Sequence, residues 1–278
     1  MSETVRDRLW LWCHPAGSHT RSPEQHGIAG RSTIAPAEAA ARMGIPNVLF
    51  VRYELDPSPP FDAHAAPLAA LDRVVWSVEG GGGGDVAAVL GLGQALPNLR
   101  GIILDDYFAQ VTATARMGIE TAGRTAAQPD PAFSVAALRG LRERLVGQGR
   151  SYDIWVVLYA HELGWKPVLR PHLELCDVVT CWTWNAAALA ELEQNFARVE
   201  NVVGNKRKVL GLYMWDYGAK QPMPLPAMEH QCALGRRWLR EGRIDGMIFL
   251  ASCICDLGLE AVEWTRRWIA ENSNMPIK

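Results

Sequence analysis

One alternation runs the length of this chain: a short run rich in β-branched and aromatic residues, then a stretch with helical spacing, eight times over. The strand-like runs are RLWLWCH (8–14), NVLFVRYE (47–54), RVVWSVE (73–79), GIILDDY (101–107), DIWVVLYAH (153–161), DVVTCWTW (177–184), KVLGLYMWD (208–216) and GMIFLASC (246–253). Between them stand amphipathic segments such as APAEAAARMG, SVAALRGLRERLVGQG, AALAELEQNFARVEN and LEAVEWTRRWIAEN. Near-continuous apolar strands suit a parallel sheet covered on both faces. Eight strand–helix units in 278 residues match the usual size of a (β/α)8 barrel. The competing architecture, a doubly wound open sheet, lacks its Gly-rich turn after the first strand. No linker or shift in composition divides the chain, so residues 1–278 are expected to form a single (β/α)8 TIM barrel domain. Several helical stretches end in Gly, as in RMGIP, GQGR and REGRIDG, which is the expected C-terminal stop.

The barrel gives the strand ends a meaning, because such folds keep their chemistry at the C-terminal face. The fourth run drives an apolar strand into two adjacent carboxylates, Asp105 and Asp106, and burying ionised aspartates is costly unless they are paired or used. Strand alternation places Ile103, Asp105 and Tyr107 on one face, with Asp105 inward and Asp106 beside it. The other ends supply His14, then Arg52 and Glu54, then His161 and Glu162. Trp182 and Trp184 follow, and then Trp215, Asp216 and Tyr217. Any one of these is more often a cap or a packed core residue than a functional group. Their convergence on one concave face is what points to function, since mutual repulsion among carboxylates shifts their pKa values.

Composition limits the chemistry. Net charge is −2 with both signs interspersed, so no polyanion surface is expected and nucleic acid is not a partner. No run reaches the roughly 18 apolar residues of a membrane span. The charged N-terminus MSETVRDRLWLWCHP lacks the apolar segment of a signal peptide, so a cytoplasmic protein is expected. The six cysteines show no zinc-like pairs and read as small buried hydrophobes in a reducing compartment. None of the five lysines ends a strand, which argues against Schiff-base chemistry. The run EGGGGGD (79–85) matches neither phosphate-binding glycine motif and is expected to be a flexible loop or lid.

Carboxylates beside tryptophans suit glycoside hydrolysis. It needs one carboxyl as acid and another as nucleophile or base, and aromatic faces fit the C–H faces of sugars. At this point the chain resembles the (β/α)8-barrel glycoside hydrolases. GIILDDYF is similar to the glycine–apolar–Asp fourth strand of many of them, and an acid on strand seven, in YMWDY, is similar to the large retaining clan. The sequence departs from that clan in having Asp-Asp where it has Asn-Glu and Asp where it has Glu. It also lacks the chitinase pattern DxxDxDxE, Tyr107 standing at the final Glu. The resemblance implies a carbohydrate substrate and no cofactor. Asp105 or Asp106 is then one catalytic carboxyl, with Asp216 or Glu162 as its partner. His14, Arg52, Glu54, Tyr107, His161, Trp182, Trp184, Trp215 and Tyr217 are candidates to bind or tune. Two alternatives stand beside it. One is a sugar isomerase or lyase with a divalent metal on Glu54, Asp105, His161 and Glu162; the other is a barrel that binds carbohydrate without cleaving it.

Overall fold

The computed structural model describes residues 3–79, 85–120, 131–146 and 149–277. Eight parallel strands close into a barrel: β1 (Leu9–Cys13), β2 (Asn47–Phe50), β3 (Arg73–Val78), β4 (Leu99–Leu104), β5 (Asp153–Tyr159), β6 (Val178–Trp182), β7 (Arg207–Tyr213) and β8 (Gly246–Leu250). Each pairs with its sequence neighbours, and β8 returns to β1 through Leu9–Met247 to Trp12–Leu250. Helices cover the outside, among them Pro36–Met43, Tyr107–Glu120, Leu192–Val203, Leu225–Glu241 and Glu260–Asn272. Gly44 and Gly242 end two of them at φ 70°, a left-handed stop that costs glycine nothing. Among the described residues no helix is long and apolar enough to cross a membrane.

Tryptophan fills the barrel. Trp10 meets Trp155 edge-on with ring centroids 4.9 Å apart, and above them Trp12 meets Trp182 at 5.2 Å. Glycine makes the space: a Cβ on Gly211 of β7 would fall inside the Trp182 indole, and one on Gly246 of β8 would press on Arg8 and Trp10. All six cysteines are buried free thiols.

Most strands stop short of the apolar runs that announce them. β2 ends at Phe50, β4 at Leu104, β6 at Trp182 and β8 at Leu250. Beyond these points the chain leaves the barrel rim in turns. After β4 the chain turns at once into the helix Tyr107–Glu120. The acid of YMWDY does not extend β7; Trp215–Asp216 forms a two-residue ribbon with Gln221–Pro222. The glycine run lies outside the described residues except for its flanking Glu79 and Asp85.

Candidate active site

The C-terminal rim of the barrel encloses a cavity of about 270 Å³. Its floor is Trp12 and its acidic wall is Asp105 and Asp106, with Glu54 from the turn after β2. Tyr159, Trp184 and Tyr213 cluster together, and Tyr217 links them to the group of His14, His19, His26 and Tyr53.

The two aspartates are placed by the end of β4. The strand stops at Leu104 and the helix starts at Tyr107, so Asp105 and Asp106 form the turn between them. Asp106 takes φ 48°, a left-handed conformation uncommon for a residue with a side chain, and such outliers gather at functional sites. Asp105 is pushed up to about 8, first by burial and then by the charge of Asp106; the Asp106 backbone N–H works against the shift. Its carboxyl therefore keeps a proton at neutral pH. Asp106 accepts a hydrogen bond of 2.8 Å from the Tyr159 hydroxyl. Burial and both aspartates push Tyr159 well above the usual phenol range, so it remains a donor.

Glu162 stands behind this pair rather than in the cavity. It is 2% exposed, and one oxygen accepts from the Tyr159 backbone N–H at 2.8 Å while Oε1 is buried without a partner. Burial above all, then the charge of Asp106, push it up to about 7 against that hydrogen bond. The chain Glu162–Tyr159–Asp106 thus fixes one acidic side chain through another.

The histidines are held neutral. His14 Nδ1 lies 2.8 Å from the Val51 carbonyl and Nε2 accepts from Trp12 Nε1 at 3.0 Å. Burial lowers His14 to about 4 and holds His19 well below the usual imidazole value. His19 pairs with the Tyr217 hydroxyl at 2.7 Å and His26 with Tyr53 at 2.9 Å.

Other candidates from the sequence fall elsewhere. Tyr107 does not share the Asp105 face, because the helix begins there and breaks the strand alternation; it is buried with its hydroxyl 3.0 Å from His172. Trp182 is a barrel filler whose indole donates to Thr180. Trp215 is buried and donates to the His26 carbonyl, bracing the loop after β1. Only Trp184 of the three tryptophans both lines the cavity and is exposed, at 43%. Asp216 is buried in its own turn, accepting from Ala219 N–H and Gln221. Arg52 and Glu54 reach the cavity, whereas His161 stacks on Tyr159 outside it. Sequence reasoning left out His19, His26, Tyr53, Tyr159 and Tyr213. The two histidines of SHTRSPEQH, so close after a strand end, were the available signal. Among the described residues no three His, Cys, Asp or Glu side chains are gathered as a metal ion would need.

No family model matches the chain, and no curated protein does. Solved structures do. A protein of Bacteroides thetaiotaomicron provisionally assigned as an α-L-fucosidase superposes with a TM-score of 0.57 at 8% identity, over 98% of this chain and 93% of that one. A family 18 chitinase from Crocus vernus gives 0.52 at 11%, over 94% and 99%. An Acinetobacter baumannii protein provisionally assigned as a 2-pyrone-4,6-dicarboxylic acid hydrolase gives 0.54 at 10%, over 95% and 92%. At such identities the likeness is one of fold. The chain is a (β/α)8 barrel, a fold it shares with glycoside hydrolases and with barrels of other chemistry.

Proposed function

We propose that the protein is a glycoside hydrolase, with Asp105 as the proton donor. The observation that carries this reading is the placing of the Asp105 carboxyl against Asp106 at the edge of a cavity walled by Trp184, Tyr159 and Tyr213, where burial and the neighbouring charge push it up to about 8. A general acid serves best when its pKa lies near the working pH. Asp105 gives its proton to the glycosidic oxygen as the bond to the anomeric carbon breaks. Positive charge then develops on the sugar ring, and Asp106, oriented by Tyr159, faces it as the second carboxyl; water completes the reaction by bonding to the anomeric carbon, and the proton it gives up restores the Asp105 carboxyl. Neither Asp216 nor Glu162 suits that second role. One braces a turn, and the other supports Tyr159 from behind. Trp184 offers an exposed ring to the C–H face of a sugar.

Turnover of a panel of aryl glycosides and oligosaccharides by the wild type, Asp105→Asn and Asp106→Asn, each with and without chelator, tests the reading. Loss of about 10²-fold or more in both folded variants, indifferent to chelator, is expected. Turnover that survives both substitutions overturns the assignment. Sugar binding by the wild type with no turnover of any glycoside leaves a carbohydrate-binding barrel instead.

A further inference from the structure

Across the two aspartates from the aromatic cavity lies a second cleft of about 490 Å³, bordered by Ser77, Glu79, Gln110 and Phe133. Arg52, Glu54, Asp105 and Asp106 belong to both walls. Of these four only Arg52 is cationic, and each of its three guanidinium nitrogens already donates a hydrogen bond. Nη1 donates to Asp85 at 2.6 Å, Nε to the Pro57 carbonyl at 2.8 Å and Nη2 to the Leu55 carbonyl at 2.7 Å. The Asp85 carboxylate that neutralises it is itself buried. A guanidinium whose charge is matched by a buried carboxylate and whose nitrogens are tied to three acceptors is a weak anchor for an incoming carboxylate or sulfate.

The histidines supply no positive charge either, and for His14 hydrogen bonding alone decides this. A carbonyl oxygen only accepts and an indole N–H only donates. His14 between Val51 O and Trp12 Nε1 therefore carries its proton on Nδ1 and leaves Nε2 bare. A second proton would point into the indole N–H. The His14, His19 and His26 rings follow one another at 4.8 Å centroid spacing, so a charge on any of them sits against its neighbours. The nearby cations face away: Lys220 donates to the Glu24 carbonyl and Arg21 to Asp56. Three carboxyls meanwhile look into the cavity, and among the described residues that line it no cation faces them.

We infer that the aromatic cavity takes an uncharged glycosyl unit and rejects anionic ones, whether uronates or sulfated or phosphorylated sugars. Bringing a further anion beside the Glu54 and Asp106 carboxylates adds repulsion, and no cation among the described lining residues is placed to offset it. Neutral hydroxyls meet partners that suit them: the phenols of Tyr53, Tyr213 and Tyr217, the imidazoles, the Asp105 carboxyl and the two carboxylates. This deepens the proposed function and rests on it.

The test is binding by titration calorimetry to matched pairs: the methyl glycosides of glucose, galactose, mannose and N-acetylglucosamine, each against its uronate or 6-sulfate. The neutral member of any bound pair is expected to bind at least tenfold tighter at 0.02 M salt, with the gap narrowing at 0.5 M. In Glu54→Gln, whose folding is checked by circular dichroism, the gap narrows at both salt concentrations. An anionic member that binds as tightly as its neutral partner overturns the inference while leaving the glycosidase reading intact, provided glycosides are still hydrolysed. Failure of every neutral sugar to bind, together with no turnover on the wider glycoside panel, overturns both.

Discussion

Asp105 is held in a state that folding alone would not choose. Its carboxyl, pushed up to about 8, makes the ionised form unfavourable in the native protein but not in the unfolded chain. The sign follows: between its ordinary value near 3.8 and about 8 the native state binds the extra proton, so stability falls as pH rises. Asp105→Asn removes that penalty. The variant is expected to lose about 10²-fold or more of activity yet melt higher than wild type, with a gain larger at pH 8 than at pH 5. An equal or smaller gain at pH 8 would show that Asp105 is ionised in the fold. Tyr159 acts at one remove, through its 2.8 Å bond to Asp106. Tyr159→Phe keeps the ring and its stacking on His161 but loses the hydroxyl. It is expected to lower kcat by about tenfold or more with KM little changed, the pattern for an interaction that matters most in the transition state. A rise in KM at constant kcat would make Tyr159 a substrate contact instead.

At the scale of the element, the barrel could be read from the sequence because its cause is periodic. Eight apolar runs bounded by turn residues have few other ways to bury themselves. What could not be read was where each run stops. GIILDDY continues as a β pattern through Tyr107, but the left-handed Asp106 turns the chain and Tyr107 enters a helix against His172. The same uncertainty misplaced Trp182, since a tryptophan at a strand end and one inside a barrel have identical sequence contexts. The deciding residue is Gly211 on the neighbouring strand, whose missing side chain admits the indole. Asp216 illustrates the opposite case: its position after β7 resembles a catalytic one, yet its oxygens are occupied by Ala219 and Gln221. Gly211→Ala tests the packing. A methyl there must displace Trp182, and with it Trp12 and Tyr213, so a loss of about 1–3 kcal/mol is expected by urea denaturation. An unchanged midpoint would mean that the indole does not lie against β7.

For the whole molecule, two sets of buried groups pull stability in opposite directions with pH. His14, His19, His26 and His172 are all lowered by burial, so each is neutral in the fold and must bind a proton as the chain unfolds in acid. Their contribution is fully present above about 6.5, the ordinary imidazole value, and is lost as pH falls towards 4. Asp105 and Glu162 are raised, to about 8 and about 7, and their contribution runs the other way, declining as pH rises to those values. Below 6.5 the histidines oppose the two carboxyls; between 6.5 and 8 the carboxyls act alone. The melting temperature is therefore expected to fall from pH 6.5 to 8, and to fall also towards pH 4 as the histidines take up protons on unfolding. The carboxylates lowered by their partners, Asp7 by the Thr4 backbone and Glu263 by Arg42 among them, steepen the acid side near pH 4. Thermal melts from pH 4 to 9 check this, and Asp105→Asn separates the two sets. It should flatten the alkaline limb and leave the acid limb in place. An alkaline limb unchanged by that substitution would remove Asp105 from the balance, and with it the physical basis for treating this carboxyl as an acid at neutral pH.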